Sequence, residues 1–469
     1  MSHILVIGHG PAAHRLLQHL HDYGHPGPVT VLAAELRPAH HRPLLTSVLA
    51  GRLGPDALRL PPPPGTQVEQ GTVATAIDRA RRVVHARRDG TSTTYSYDVL
   101  VLASGARPVV PALPGATGQD GRLVPGVTTL RTTADCDRIA GATAAVLGGG
   151  PLGVETASAL ALRGTATTLV CAGPHPLHER LGDTCAGLLT ERLERAGVTV
   201  LSGRTAVRRL SDRLLLDDGT AVRADTLVLC TGAEPDIQLA RDAGLQVRTG
   251  IVVDDALRTG DTRIHAIGDC AEHADRATAG YESALAQADM LAAILTGREM
   301  THRAAPAVLR LRTHVADVCC IGSPAAFKEP GIRTVGLVDR DSGRYARIAL
   351  RDDRIVAAVL LGLPEAVAAV GHLHRRGQPV PSDRLSSLLG IQSEPPAAGP
   401  EAHLDAVVCL CNNVPWRQLA EAWRIGARTV TALAKATRAT TGCGGCSRQV
   451  EGLCADWSDA AERELEPMA

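Results

Sequence analysis

Aromatic side chains are nearly absent from this chain. Its 469 residues include one Phe, five Tyr and three Trp. Its cores must therefore be built from Leu, Val, Ile and Ala. Lysine is scarcer still: Lys328 and Lys435 are the only two, which we read as coding bias in favour of arginine. Net charge is missing as well, with 49 basic residues against 49 acidic. No basic excess argues for binding to nucleic acid or to an anionic membrane. No apolar run reaches the roughly 20 residues of a membrane span. An apolar strand starts within the first few residues, so no signal peptide is expected and the expected compartment is the cytoplasm. Balanced charge with 45% hydrophobic residues predicts a soluble globular protein, of about three or four domains at this length. Paired cysteines are absent from most of the chain. Cys136, Cys171, Cys185, Cys230 and Cys270 stand singly and read as buried small hydrophobes. Cys319-Cys320 lies in an apolar stretch and reads as a strand interior. Only the last five, Cys409, Cys411, Cys443, Cys446 and Cys454, are grouped.

What is present begins at once. The run Ile4-Leu5-Val6-Ile7 reads as a buried strand, followed by Gly8-His9-Gly10-Pro11-Ala12-Ala13 and a helical pattern. This is Gly-x-Gly-x-x-Ala in a strand–turn–helix context. Gly8 permits the tight turn, Gly10 lets backbone approach a pyrophosphate, and Ala13 allows close helix–strand packing. The helix N-terminus then faces the negative charge. A second apolar run, Val29–Leu32, ends near Glu35, where a ribose hydroxyl would be held. The polar stretch Arg37–Leu45 should pass beside whatever the first motif binds. The run 61–64 of prolines reads as a surface turn. Residues 66–103 read as a strand meander that stops at the small-residue turn Ser104-Gly105.

A second signature follows. Ala144–Leu147 reads as a strand, Gly148-Gly149-Gly150-Pro151-Leu152-Gly153-Val154-Glu155 as the turn, and 152–163 as a helix. Two such motifs in one chain imply two nucleotide sites meeting face to face. The next strand ends at Cys171-Ala172-Gly173. An acid there would favour NAD and an arginine NADP. Neither is present, so NADH and NADPH both stay open, with His175 and Arg180 nearby in sequence. Residues 225–232 repeat the strand-to-small-turn pattern and end at Gly232. Ile264–Ile267 reads as a short strand ending at Gly268-Asp269, with a helix from there to about residue 297. Asp269 can accept hydrogen bonds from a sugar-alcohol chain, or it can simply cap that helix. Residues 305–375 read as a separate α+β unit, with a meander of Arg333–Asp339, Arg344–Leu350 and Arg354–Leu361. A linker follows, richest in proline at 394–400.

The terminal unit pairs Cys409-Leu410-Cys411 with Cys443-Gly444-Gly445-Cys446 across two helical stretches. Pro415 fits a first helical position, Gly426 a helix end, and Thr429 an N-cap. The hairpin brings Cys-x-Cys and Cys-x-x-Cys together. Four thiolates suit a [2Fe–2S] cluster or a tetrahedral zinc. The glycines, which leave amides free to face sulfur, favour the cluster.

Together these pieces resemble the pyridine-nucleotide-dependent flavoprotein reductases with two dinucleotide domains. The resemblance is nearest to the FAD-containing part of assimilatory nitrite reductase large subunits and the electron-transfer subunits of assimilatory nitrate reductases. It is carried by Pro38–Arg42, Leu44-Leu45-Thr46, Thr129–Thr132, Gly148–Glu155 and Gly268–Ala271. The ending, Cys409–Val414 with Thr441–Cys446, is similar to the bacterioferritin-associated-ferredoxin-like [2Fe–2S] domain. The implied fold class is α/β: two Rossmann-like dinucleotide-binding domains, a small α+β domain and a C-terminal helical [2Fe–2S] domain. The implied division is an FAD domain at 1–114 and 233–300, an NAD(P)H domain at 115–232, and an α+β interface domain at 301–376. A linker at 377–404 and a cluster domain at 405–469 complete it. The resemblance implies that FAD is held by Gly8, Gly10, Pro11, Ala13, Glu35, Arg42, Ser104, Gly105, Arg131, Gly268 and Asp269. It assigns NADH or NADPH to Gly148, Gly150, Pro151, Leu152, Gly153, Glu155 and Gly232, and the cluster to Cys409, Cys411, Cys443 and Cys446. His40 and His41 stand where many relatives carry an aromatic residue and Asn, and Ser47 lies near a relative's Lys.

The implied function is electron transfer from NAD(P)H, with FAD and the cluster as cofactors, to a separate redox protein. Nitrate- or nitrite-assimilation reductases and oxygenases are examples of such acceptors. No acid–base dyad is required, and no catalytic residue is named. Only Cys454 follows Cys446, which leaves no room for a sirohaem centre, so the chain itself is not expected to reduce nitrite. The stretch 40–51 holds no cysteine, which disfavours a disulfide reductase. Two other readings remain: a flavin dehydrogenase or oxidase subunit acting on an amino acid or opine, and a redox sensor without turnover. The complete second motif argues against the first of these.

Overall fold

The architecture was obtained as a computed structural model. It describes residues 2–274, 276–277, 280–298, 308–380, 407–409, 414–440 and 446–465. The chain divides into two compact units, Met1–Ala172 with Leu201–Ala307, and Gly173–Val200 with Val308–Ala469.

The first unit repeats one idea twice. Its elements in chain order are β1 (Ile4–Ile7), α1 (Pro11–Asp22), β2 (Val29–Ala33), α2 (Leu45–Leu49), β3 (Thr66–Gln70), β4 (Val99–Leu102) and β5 (Val127–Thr129). Then come β6 (Thr143–Leu147), α3 (Pro151–Leu162), β7 (Ala166–Cys171), β8 (Thr226–Leu229), β9 (Ile264–Ala266) and α4 (Tyr281–Leu295). A five-stranded parallel sheet runs β9–β4–β1–β2–β3. A second parallel sheet contains the order β7–β6–β8–β5. Strands covered on both faces must be apolar throughout, and β1 and β8 are buried at every residue. Between β3 and β4 lies a meander, Val73–Asp78, Val83–Arg88 and Thr91–Ser96, shorter than the expected 66–103 because the flanking strands β3 and β4 pair into the parallel sheet.

The first core joins β1, β4 and β9 to α1 and α4 through Leu5, Leu16, Leu100, Ile264 and Leu291. Helix α1 packs along α4. Arg15 donates to both oxygens of Asp289, at 2.5 and 3.1 Å, and His19 lies 3.1 Å from the same carboxylate. One expectation fails here. No helix runs on directly from Asp269. A 3-10 turn, Gly268–Cys270, leads into a short strand, Ala271–His273, and α4 begins only at Tyr281. The strand pairs with Ile251–Val253, a long-range partner that local propensity does not reveal.

In the second unit an antiparallel sheet has the order β10–β11–β14–β13–β12. Its strands are β10 (Val308–Arg312), β11 (Asp317–Ile321), β12 (Arg333–Asp339), β13 (Arg344–Arg351) and β14 (Arg354–Leu361). The last three are the expected meander, and Cys319-Cys320 sits inside β11. Helix α5 (Pro364–Arg376) covers one face through Val367 and Val370. The helix Asp183–Arg195 belongs to this unit, and its Arg192 donates to the carbonyls of Val315, Ser342 and Gly343.

The terminal segment forms helices α6 (Trp416–Arg424), α7 (Val430–Thr437) and α8 (Ser447–Leu465). Pro415 is the N-cap of α6, one position earlier than expected. Gly426 (φ +111°) ends α6, and the Thr429 hydroxyl accepts the Ala432 N–H at 3.1 Å, as the sequence predicts. The three tryptophans of the chain, Trp416, Trp423 and Trp457, meet here at 5.3 and 5.5 Å between rings. Among the described residues no helix is long and apolar enough to cross a membrane. Leu100 is wholly buried at the centre of the first sheet. Leu100→Ala should destabilise the first unit by about 2–5 kcal/mol, read as a lower denaturant midpoint at unchanged slope.

Candidate functional site

Both glycine turns have the same construction. Gly8 leaves β1 at φ +100°, and a Cβ on it would lie 2.3 Å from the Ala103 carbonyl oxygen. Gly148 leaves β6 at φ +121°, and its Cβ would lie 2.3 Å from the Cys230 oxygen. Only glycine accepts that backbone conformation at that distance. Gly10 and Gly150 are the extended N-caps of α1 and α3, and Pro11 and Pro151 fill the first helical positions. The space beside Gly10 is open to 3.9 Å, and nothing lies within 4 Å of Gly150. Each helix therefore begins beside open space, with its positive end toward it. Ala13 is fully buried. A Cβ on Gly153 would meet the Gly148 oxygen at 1.8 Å, which is how the third position packs helix on turn.

Around the first turn, a chain of charges links four distant stretches. Arg42 donates to Glu35 through one guanidinium nitrogen and to the Arg131 carbonyl at 2.7 Å through another. Arg131 donates to the Ala106 carbonyl at 3.0 Å and lies 3.6 Å from Asp269. Burial lowers the Arg131 pKa, and the Asp269 charge opposes that. Gly268, at φ +78°, donates its N–H to Gln287 at 2.8 Å and sits close under Ala12. Ser104 donates to the Asp236 carbonyl at 2.7 Å, and the Gly105 carbonyl accepts the Asp236 N–H at 2.9 Å. His40 and His41 are buried, with His41 3.4 Å from the Tyr281 hydroxyl.

Around the second turn, α2 packs against α3, bringing the Thr46 region beside the second motif. Glu155 is buried on α3, Leu152 is half-buried, and Gly232 turns at φ +107°. Burial pushes the Cys230 thiol up to about 12, and the Glu155 charge adds to it. The end of β7 is Cys171, whose carbonyl accepts the Arg204 N–H at 3.1 Å. Arg204 holds Asp218 at 2.6 Å. The motif alone did not point to Arg204. His175 lies 3.4 Å from the Thr190 hydroxyl within the second unit.

His9 was also missed. Both of its ring nitrogens are buried without a partner, and burial holds its pKa down to about 4 against the pull of Glu35. Its signal was present in the sequence: a titratable residue inside Gly-x-Gly. The open cradles at Gly10 and Gly150, with the orphaned nitrogens of His9, fit phosphate-bearing dinucleotides.

Of the four metal-ligand candidates, Cys409 and Cys446 are buried in one core with Val408, Val414, Leu419, Trp423 and Leu433. Cys411 and Cys443 lie outside the described residues. Cys454 is half-buried at the edge of that core. Two candidate thiols, Cys409 and Cys446, drawn into one small apolar core fit a thiolate-held centre.

Comparison with known proteins supports these fits. Residues 2–288 match the pyridine nucleotide-disulphide oxidoreductase family, and 407–456 match the BFD-like [2Fe-2S] binding domain. The chain is 31% identical to the nitrite reductase [NAD(P)H] large subunit of Klebsiella oxytoca, over 96% of this chain and 48% of that protein. It is 27% identical to the assimilatory nitrate reductase electron transfer subunit of Bacillus subtilis, over 96% of this chain and 59% of that one. The chain thus spans about half the length of these curated relatives. The crystal structure of the covalent putidaredoxin reductase–putidaredoxin complex superposes with a TM-score of 0.72 at 27% identity. That match covers 83% of this chain and 95% of the other.

The pKa of His9 yields a pH test. Its folded value, about 4, lies below the ordinary 6.5. Between these values the unfolded chain binds the extra proton, so stability is full above pH 6.5 and falls as pH drops toward 4. The loss should reach at most about 3 kcal/mol. Denaturant unfolding of the apoprotein at pH 7.5 and 5 should show a steeper fall for the native chain than for His9→Asn. Identical slopes would mean that His9 is not held neutral by burial.

Proposed function

The chain belongs to the pyridine nucleotide-disulphide oxidoreductase family, with a BFD-like [2Fe-2S] segment, and from that premise we propose that it carries electrons from NADH or NADPH to a separate redox protein. Its cofactors are FAD and a [2Fe–2S] cluster. The observation that carries this reading is the duplicated turn, Gly8 against Ala103 and Gly148 against Cys230, both in one compact unit. Bound FAD supplies acceptance of electrons in pairs and their release singly, and a [2Fe–2S] cluster supplies one-electron exchange.

The residues of the chain bind and orient. Gly8, Gly10, Pro11 and Ala13 present the α1 N-terminus to the FAD pyrophosphate, and Glu35 takes a ribose. Arg42 and Arg131 fix Glu35 and Asp269 in place, and Gly268-Asp269 with Ser104-Gly105 line the remainder. Gly148, Gly150, Pro151, Leu152, Gly153, Glu155 and Gly232 form the nicotinamide-nucleotide site. Cys409, Cys411, Cys443 and Cys446 hold the cluster. We retain the sequence division: FAD domain 1–114 and 233–300, NAD(P)H domain 115–232, interface domain 301–376, linker 377–404 and cluster domain 405–469. The acceptor is a redox protein of the kind the relatives' names indicate, such as the nitrate reductase of the Bacillus subtilis electron transfer subunit. Cytoplasmic placement accords with this role. The complete second turn favours a nicotinamide donor over an amino acid or opine.

Anaerobic mixing tests the donor. NADH or NADPH should bleach the flavin with no organic substrate added. Gly153→Val places carbon against the Gly148 oxygen and should slow bleaching roughly tenfold or more, which is about 1.4 kcal/mol, with FAD retained. Unchanged bleaching in that variant would mean that the nicotinamide site lies elsewhere. Cys443→Ser should keep NAD(P)H oxidation by ferricyanide and lose transfer to a one-electron protein.

A further inference from the structure

The antiparallel sheet of the second unit ends in a bare strand. β12 (Arg333–Asp339) is last in the strand order and pairs on one side only, with β13. Among the described residues nothing bonds to its outer edge. Sheet edges are usually blunted by proline, lysine, a bulge or shortness, because their free N–H and C=O groups invite another strand. β12 has none of these devices. It is seven residues long, without Pro or Lys. Its register with β13 runs unbroken from Arg333 opposite Leu350 to Asp339 opposite Arg344. On one face Val338 is 51% exposed, with Thr334 and Gly336 exposed beside it. On the other face Val335 and Leu337 are only half-buried, against the core that includes Val367 and Val370 of α5. Gly336 stands in the middle. A glycine inside a strand weakens it and often marks the close approach of a second backbone.

The strand is complementary to itself. Paired antiparallel about Gly336, it sets Arg333 opposite the partner's Asp339 and Val335 opposite the partner's Leu337. Thr334 then faces the partner's Val338. Charge meets opposite charge at both ends, and apolar meets apolar between them. Moving the two-fold axis to Val335 would set Arg333 against the partner's Leu337. Moving it to Leu337 would set Asp339 against the partner's Val335. Side chains therefore specify one register. Arg333 already donates to Asp353 at 2.6 Å, and both groups are exposed. Such a surface pair contributes little by itself, and the guanidinium has further donors to share. Asp339 accepts from the Ser342 N–H and hydroxyl, which fixes its carboxylate at the strand end.

We propose that β12 is the interface of a homodimer. Two copies of this chain join edge to edge through Arg333–Asp339, antiparallel about Gly336, and one sheet continues across both. The main chain supplies the cohesion, and the Arg333 and Asp339 ends supply the register. A single strand pair is small beside the roughly 800 Å² per partner of a standard interface. The dimer should therefore be reversible, with a dissociation constant in the roughly micromolar range.

Sedimentation of the full-length holoprotein over a range of concentrations tests this. Val338→Lys blunts the edge and should weaken dimerisation roughly tenfold or more. Arg333→Asp and Asp339→Arg each place like charges opposite one another at both ends and should weaken it by roughly as much. Mixed in equal amounts, these two reversal variants should recover the dimer, since one is acidic at both ends of β12 and the other basic. Variants that merely fold poorly would gain nothing from mixing, and flavin absorbance and circular dichroism should match the native protein throughout. A native chain that stays monomeric at a concentration roughly a hundredfold above the expected constant overturns the proposal. So does a dimer that ignores all three substitutions, or a pair of reversal variants that stay monomeric when mixed.

Discussion

The closeness of two backbones governs this protein. At Gly8 and again at Gly148, the chain turns from strand to helix so near a neighbouring strand that a single methyl group would strike a carbonyl oxygen at 2.3 Å. That contact fixes where α1 and α3 begin, and so where their positive ends point. It also ties each turn to the end of the adjacent strand in the sheet, at Ala103 or Cys230. Strand ends and helix starts thereby converge on one rim of each parallel sheet, where such folds bind their ligands.

Charge then organises what the turns leave open. Glu35, Arg42, Arg131 and Asp269 come from stretches far apart in sequence, yet each acid is held by an arginine. The pairs are partly exposed, so they add little to stability on their own. Their value lies in placement: carboxylates set at fixed positions around a cradle whose helix end is positive. In the terminal segment the arrangement differs. There Arg424 and Arg428 hold no carboxylate among the described residues, and the apolar Ile425 stands between them.

Much of this was legible in the sequence because glycine at a required positive φ leaves a signature that no other residue can imitate. Both motifs, the meander at 333–361 and the Thr429 cap fell where residue types predict. The path after Asp269 was not legible, because Ala271–His273 becomes a strand only by pairing with Ile251–Val253. The sequence placed His9 inside Gly-x-Gly but did not reveal its burial, and it did not point to Arg204. His9 is distinguished by what surrounds its nitrogens, and Arg204 by a hydrogen bond to Cys171 that bridges two strand ends. The compact units also cut across the sequence division, since Gly173–Val200 groups with Val308–Ala469. Such grouping depends on long-range packing, which spacing does not encode.

The central claim is that one chain couples a two-electron donor site to a one-electron exit. Anaerobic titration of the holoprotein with NADH or NADPH, followed by absorbance and low-temperature electron paramagnetic resonance, tests it most directly. The account predicts flavin bleaching together with a reduced [2Fe–2S] signal approaching about one spin per chain. Flavin bleaching with zinc bound and no iron–sulfur signal at any stage would contradict it.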